Sequence, residues 1–509
     1  MSFLARALRG KRQTRQAFAG AVVSRLNDFV FSTIQSANQE LRSEVVTLRG
    51  RARELCRNNP NARRFLRLLE QNVVGPKGIR LESQVTLQTG PNAGQPDELS
   101  NNRIESACKD WGKAGTCDVT RRHSWVSFQN LVIATIARDG EAFVRLIDGF
   151  ANPFGFAVQL LDADQVDTAY TLPGGQGQAR IEQGIELDQW GAPVAYHILT
   201  SHPNDPVRDR RRERIPASEV LHIYRVEREG QARGIPWFAP VTVAMRMLDG
   251  YNEAELVAAR TAAAKMGFIT PGEEGEGPDP DQPADQANQV MEATPGAIDR
   301  LQVGETFQAW DPQHPAGTYE PFVLAQQRLL AMGLNVSHMS LTGDLRQANY
   351  SSARVGLLDE RDGWRALQGW LTEHLHEPVY RRWLRIASLS PRLTLPTYDL
   401  TKYEAVVWRA RGWDWVDPAK DLEAYAGMRA QGLISRTEIC AMQGREHADV
   451  LKEIRSETDE AADLGIDLQV GTSPAPAPPA PSDAESDTPD PAMNGRTLRL
   501  ARFPHERTA

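Results

Sequence analysis

Cysteine is scarce, with four in 509 residues, which excludes a disulfide-built scaffold and points to a reducing compartment. Cys108 and Cys117 have no Cys or His cluster beside them, so they read as ordinary thiols rather than zinc ligands. No run approaches the roughly 20 uninterrupted apolar residues of a membrane-spanning helix. The most apolar stretch, 237–266, is broken by Asp249, Glu253, Glu255, Arg260 and Lys265. The basic N-terminus has no apolar core behind it and does not read as a secretory signal, so an intracellular protein is expected.

Signatures of catalysis are missing too. The sequence has no G-x-x-x-x-G-K-[ST] phosphate loop; Trp111-Gly112-Lys113-Ala114 has the wrong spacing and no hydroxyl after the lysine. A G-x-S-x-G elbow and an H-E-x-x-H zinc helix are also absent. His374 and His376 stand two apart on an expected helix and face different ways, which does not suit a shared metal. No catalytic residue, cofactor or metal is therefore assigned.

What is present is an ordinary globular composition, 41% hydrophobic and 24% charged, in a chain long enough for several cores. Fifty-eight basic against 66 acidic residues leave a net charge of −8. That balance argues against a protein that simply coats DNA, which needs many phosphate-neutralising cations. The first 27 residues nonetheless carry Arg6, Arg9, Lys11, Arg12 and Arg15 and no acid. Such an arm suits a nucleic-acid or partner tail, and equally a flexible end kept soluble by charge.

Apolar residues at spacings of three and four predict helices over 39–71, with a break at Asn58-Asn59-Pro60. Further helices are expected at 101–114 and at 127–139, the latter capped by Ser127. The period then changes to short apolar runs at 141–147, 156–161, 181–187, 194–199 and 220–224, read as strands with a hairpin at Trp190-Gly191. Residues 40–235 thus form one α+β domain with a largely antiparallel sheet. A long helix to about 266 follows Pro236, its second half rich in alanine. Residues 271–296 read as a mobile Pro/Gly/acidic insertion between short strands, and 321–333 as a helix. A loop at 341–349, a helix over 351–386 that Pro378 kinks or restarts, and two helices in 418–462 complete the ordered chain. Beyond 471 a Pro/Ala-rich tail is expected to be disordered.

Three clusters are candidates for chemistry. Asp162, Asp164 and Asp167 suit either metal-assisted phosphodiester cleavage, with Glu141, or a polar turn after a strand. Asp139-Gly140-Glu141 reads as a helix-to-strand turn. The run Arg208, Arg210, Arg211, Arg212 and Arg214 suits a nucleic-acid contact or a solvated loop.

A series of local phrases runs along most of the chain. Arg138-Asp139-Gly140-Glu141-Ala142-Phe143-Val144-Arg145 and Gly184-Ile185-Glu186-Leu187-Asp188 come first. Pro193-Val194-Ala195-Tyr196-His197-Ile198 and Gly230-Gln231-Ala232-Arg233-Gly234-Ile235-Pro236-Trp237 follow. Ala254-Glu255-Leu256-Val257-Ala258-Ala259-Arg260 and Asn349-Tyr350-Ser351-Ser352-Ala353-Arg354 close the series. In number and order they resemble the portal proteins of tailed bacteriophages, lambda family, over roughly residues 40–460.

The resemblance implies an α+β portal-type fold. It has a basic arm (1–39), an α/β wing (40–235), stem helices at 236–266 and 321–340, and a β-containing clip at 267–320. A tunnel loop (341–350), a long helix with wing return (351–417), a helical crown (418–470) and the tail (471–509) complete it. It implies a non-enzymatic ring, usually a dodecamer, at one capsid vertex of the virion, assembled in the host cytoplasm. Double-stranded DNA passes through the ring without sequence recognition, and no membrane is involved. Implied partners are further copies of the chain, the terminase large subunit that hydrolyses ATP, head-completion or connector proteins, and major capsid or scaffold protein. Asp344, Arg346, Gln347 and Asn349 become the candidate DNA-facing residues of the tunnel loop. Two rivals are a capsid adaptor or scaffold without a channel, and a metal-dependent DNA-processing enzyme using Asp162, Asp164 and Glu141.

Overall fold

The computed structural model describes residues 35–466 except 89–90, 92, 176–178, 208–209, 264–266, 272–304, 310–316, 347–348, 398 and 414–417. Most of the basic arm, nearly all of the Pro/Gly/acidic insertion, the tail and Gln347 lie outside the described residues.

Helix α1 (Ala37–Asn58) opens on a capping box, in which Ser36 takes the Gln39 N–H and the Gln39 side chain returns to the Ser36 N–H. The expected break at Asn59 is a corner that one residue both closes and opens. The Asn59 N–H ends α1 on Leu55 O (2.8 Å), and its Oδ1 caps α2 (Pro60–Leu69) on the Ala62 N–H (2.9 Å). Its Nδ2 then reaches Asp249 Oδ1 and Oδ2 at 2.9 and 3.0 Å.

After a wide π-type turn at Glu70–Val74 come β1 (Arg80–Ser83), α3 (Glu98–Trp111) and α4 (Trp125–Asp139). Helix α3 lies three residues earlier than periodicity predicts, because Asp97 caps it on the Ser100 N–H (3.1 Å). In α4 the cap is Ser124 and not Ser127. Ser127 instead donates its N–H to Ser124 Oγ (3.2 Å), so Trp125 and Val126 enter the first turn.

Strands β2 (Glu141–Asp148) and β3 (Phe156–Leu161) follow, then β4 (Arg180–Glu182), β5 (Ile185–Leu187), β6 (Pro193–Leu199), β7 (Arg212–Pro216) and β8 (Val220–Tyr224). They form two antiparallel sheets, ordered β3-β2-β8 and β4-β5-β6-β7. The single strand expected at 181–187 is a hairpin, since Gln183 and Gly184 both take positive φ (50° and 84°), as a tight two-residue turn requires. Two of the five arginines in the run, Arg212 and Arg214, stand in strand β7. Its charge hides it from hydropathy, and charge suits an edge strand, which must not pair further.

Helix α5 (Thr242–Ala263) begins five residues after Trp237, behind turns that contain Pro236 and Pro240. The pair β9 (Gly267–Pro271) and β10 (Glu305–Ala309) is antiparallel. Helix α6 (Tyr319–Gly333) starts upstream of Pro321, which is tolerated in a first turn. Then come α7 (His338–Thr342), α8 (Tyr350–Leu371), a π-type turn at Thr372–His376 and α9 (Glu377–Ala387), with Pro378 starting the new segment as expected. Strand β11 (Val406–Arg409) pairs with β1 across the length of the chain. The C-terminal region holds three helices rather than two, α10 (Pro418–Ala430), α11 (Arg436–Met442) and α12 (His447–Asp463), because Gly444 (φ 70°) ends α11.

The fold is mixed helix and sheet. Met1–His447 forms one unit and Ala448–Ala509 another; of the second, the structure describes most of α12 and its last turn. The main core joins α2, α4, β2, β3 and α9, with Trp111, Phe128, Phe156 and Trp383 fully buried. A smaller core of Phe143, Val166, Ile185, Tyr196, Ile198 and Ile215 welds the two larger sheets. All four cysteines are free, and burial pushes the thiols of Cys108 and Cys117 up to about 12, as ordinary buried thiols. Of the two histidines, His376 is buried with Nδ1 on Leu371 O (3.2 Å), and His374 uses Nδ1 on Trp370 O (2.9 Å).

Candidate nucleic-acid interface

The loop expected at 341–349 begins two residues late, because 341–342 close the five-residue helix α7. Ser337 caps α7 on the Ser340 N–H (3.1 Å), and the hydroxyls of Ser337 and Ser340 both donate to Glu360 Oε2 on α8 at 2.7 Å. The start of the loop is thus strapped to the long helix. Gly343 ends α7 in the left-handed region (φ 75°), where a side chain would be strained.

Beyond Gly343 the loop folds on itself. The Asp344 carboxylate accepts the Arg346 N–H (3.0 Å) and grips its guanidinium through Nε (3.0 Å) and Nη2 (2.8 Å). Arg346 Nη1 reaches Glu320 Oε1 at the start of α6 (2.7 Å). The Arg346 hydrogen bond, side chain first, holds the Asp344 carboxyl down at about 2. Arg346 remains 70% exposed, so water and salt reach the whole group. Asn349 is exposed, and its carbonyl accepts the Ala353 N–H in the first turn of α8 (2.9 Å).

Of the four predicted residues the structure brings Asp344 and Arg346 into contact and sets Asn349 at the first turn of α8; Gln347 lies outside the described residues. It adds Glu320, which sequence reasoning missed because it lies 26 positions from its partner. Two carboxylates face one guanidinium, so the described part of the cluster is net negative and its cation is already occupied.

The carboxylates that a DNA-cutting enzyme would use are engaged in a different way. Glu141 is fully buried, and Arg233 grips it through Nη2 (2.5 Å) and Nε, with Arg49 Nη2 at 2.6 Å. His222 Nε2 (2.9 Å) and the Gly234 N–H (3.0 Å) complete the shell on Oε2. Burial alone would raise the Glu141 pKa, but Arg233, His222 and Arg49 outweigh it and hold the carboxyl well below its usual range. Burial lowers the pKa of His222, whose ring lies between Phe143 and Tyr224 (centroids 4.2 and 4.3 Å away), so the imidazole is neutral and donates to Glu141.

Asp164 takes Arg49 Nη1 (2.5 Å) and Arg53 Nη1 (2.6 Å), while Arg53 also binds Asp139 (2.7 Å) and Asp162 (2.8 Å). Asp162, Asp164 and His202 do offer ligand atoms within 4.8 Å of one another. A cation there would have to displace two guanidiniums from Asp164, and Glu141 cannot reach a substrate. The polar-turn reading of 162–167 holds in part, since Asp162 caps the short 3-10 turn Ala163–Gln165.

This network also explains two of the sequence phrases. Gly140 (φ 90°) ends α4 and lies against Gly234 so closely that a Cβ on Gly234 would stand 2.1 Å from Gly140 O. Both phrases, 138–145 and 230–237, therefore need glycine where they cross and an acid and a base beside the crossing.

Residues 24–368 match the family model described as phage portal protein, lambda family. A "Probable portal protein" of Halomonas phage phiHAP-1 is 34% identical over 441 residues, covering 86% of this chain and 84% of that protein. Portal protein B of Escherichia phage lambda is 21% identical over 455 residues, covering 82% and 84%. A solved chain from the neck of a native gene transfer agent particle, computed with C12 symmetry, is 15% identical. It is covered to 94%, with 79% of this chain matched, at a TM-score of 0.43.

Proposed function

This chain belongs to the lambda family of phage portal proteins, components of the bacteriophage virion, and we propose that it closes into a ring through which double-stranded DNA is packaged and later ejected. The observation that carries this reading is the family match across 345 consecutive residues, from 24 to 368. Packaging energy comes from a separate terminase, in keeping with a sequence that has no phosphate loop. Residues 40–235 with 351–417 form the wing, α5 and α6 the stem, 267–320 the clip for terminase and connector proteins, and 418–470 the crown. A dodecamer at one capsid vertex is the expected assembly.

The loop 341–350 lines the narrowest passage. Its chemistry supports sliding rather than gripping. Asp344 and Glu320 hold Arg346, so the ring presents phosphates with a cation that is already shielded, beside a surplus of negative charge. DNA stays centred by repulsion and finds no array of bare cations to adhere to. Phosphate contact through Arg346 is transient and carries no sequence information.

Electron microscopy of the purified chain, with particle mass measurement, tests the reading. Closed dodecameric rings around a duplex-wide hole are expected; a chain that stays monomeric with scaffold and capsid protein present overturns it. Deleting 343–349 should leave rings intact while lowering packaging or retention of full-length genome. Normal packaging with normal retention would remove the loop from the mechanism.

A further inference from the structure

A cavity of about 490 Å³ opens between the C-terminal end of α6, the turn after it, one face of α8 and Arg225, which directly follows β8. Its wall is largely apolar, made by Met332, Val336, Trp364, Leu367 and Trp370. Size and lining are those of a binding pocket, for which volumes of about 300–1,000 Å³ are usual. Met332 is 71% exposed, and Cβ atoms added to Gly356 and Gly363 in the same wall would meet open space. Two charges stand in the cavity without a counter-ion. Arg225 lies over the Trp237 ring (5.8 Å) and pairs with no described carboxylate, while Asp359 is exposed and pairs with no described cation. The other acid in the wall, Glu360, is already taken by the hydroxyls of Ser337 and Ser340. A fitting occupant brings apolar side chains, an anion for Arg225 and a cation for Asp359.

The described chain begins beside this cavity. Arg228 Nη2 donates to Gln35 O (3.1 Å), and its Nη1 holds Glu40 (2.7 Å). Asn38 is tied to the same segment, through Nδ2 to Gly230 O (2.9 Å) and through Oδ1 to the Ala232 N–H (2.8 Å). Arg225 stands three residues before Arg228, at most about 11 Å along the backbone. Residues 25–31, Arg-Leu-Asn-Asp-Phe-Val-Phe, precede Gln35 by four to ten positions, a reach of about 14 to 36 Å. They carry what the cavity lacks. Phe29, Val30 and Phe31 are apolar, Asp28 is the one acid in the first 34 residues, and Arg25 is the nearest cation before it.

We propose that residues 25–31 dock in this cavity of their own chain, with Asp28 on Arg225, Arg25 on Asp359 and the two phenylalanines against the tryptophan wall. The tether is short, so the segment faces the cavity at an effective concentration on the order of millimolar, an advantage that a segment from elsewhere lacks. Glu360 belongs both to the cavity and to the strap that it makes with Ser337 and Ser340. A docked segment therefore covers the strap and braces the base of the 341–350 loop. None of this depends on the ring reading above.

Hydrogen exchange of the full chain, read by mass spectrometry on peptides spanning 332–337 and 356–370, tests the docking. Removing residues 2–34 should speed exchange in those peptides about tenfold and leave β4 to β6 unchanged, at matched particle mass. Asp28→Arg alone should do the same, because it sets two cations together, and adding Arg225→Asp should restore the parent's protection. Arg225 is exposed and Asp28 precedes α1, so neither change removes a core contact. In a second variant, Phe31→Cys with Gly363→Cys, oxidation should yield a disulfide-linked pair of peptides. When isotope-labelled and unlabelled chains are mixed and assembled together, that pair should join like-labelled halves alone. Unchanged exchange after truncation, no restoration by the charge-reversed pair, or linked peptides that mix labelled and unlabelled halves would overturn the proposal. The last of these assigns the cavity to another copy's segment. A chain that forms no ring removes the ring reading and leaves this test as it stands.

Discussion

Arg233 and Arg346 each hold two-pronged contacts with a carboxylate, yet the molecule places them in opposite solvents. Arg233 and Arg49 close on Glu141 in the interior, where every lone pair of the acid is taken. Arg346 meets Asp344 and Glu320 in open water. A buried pair that loses one partner leaves an unpaired charge in a poorly polarisable medium, whereas an exposed pair hands its charge back to solvent. One arrangement is thus a keystone for the crossing of two chain segments. The other is a reversible clasp on an exposed loop.

The largest expected effect comes from cutting the keystone. Arg233→Met should destabilise the chain by about 3–5 kcal/mol in urea unfolding, since Glu141 is left buried without its main counter-charge. A cost no greater than that of a surface substitution would break the comparison.

Acid should separate the two regions next. Burial lowers the His376 pKa to about 4 from an ordinary 6.5, so the unfolded chain binds a proton that the native state refuses. Its stabilising contribution is complete above pH 6.5 and is lost as pH falls towards 4, about 3 kcal/mol in all. His222, also depressed, acts in the same direction. Glu141 is lowered too, so its contribution survives this window and fails only at more acid pH. Asp344, held at about 2, stays ionised at pH 4 and keeps the clasp closed. Urea midpoints between pH 7 and 4 should fall, and His376→Phe should flatten that slope; a slope that persists assigns it elsewhere.

Gly234→Ala should be milder, about 1–3 kcal/mol, the usual range for overpacking a tight contact. Its new methyl would strike Gly140 O, which is backbone and cannot swing aside. If the variant is as stable as its parent, the crossing is looser than described. The smallest effect on folding belongs to Arg346→Ala, whose unfolding midpoint should match the parent's. Its readout is DNA retention in assembled particles, and an unfolding midpoint as low as that of Arg233→Met would erase the distinction between the regions.

How much of this was legible in advance depends on range. The corner at Asn59-Pro60, the strands at 141–147, 156–161 and 220–224, and the restart at Pro378 are local signals and sit where the chain says they should. The four-sided shell of Glu141 was not legible. Arg49 and Arg233 each lie 92 positions away on either side of Glu141, and a lone arginine on a helix carries no mark of its partner. The phrases around Gly140 and Gly234 held that information in another form, as spellings that resist change because two backbones touch there. Strand β7 was hidden for a different reason: an edge protected by arginine looks like a solvated loop to any hydropathy argument. Glu320 leaves no mark in the loop's own sequence, because it stands on the neighbouring helix α6 and meets Arg346 only through the fold.

The side chain of Asn59 has a mechanical consequence. It ends one helix, begins the next and ties that corner to Asp249, a third of the way along α5. A pull on α5 therefore reaches the α1–α2 elbow through a rigid amide as well as through the core that Met245 and Leu248 share with Leu55 and Phe65. Helix α5 and the α1–α2 corner are pinned at that point, so a strain felt along one is passed to the other as a turn about the pin.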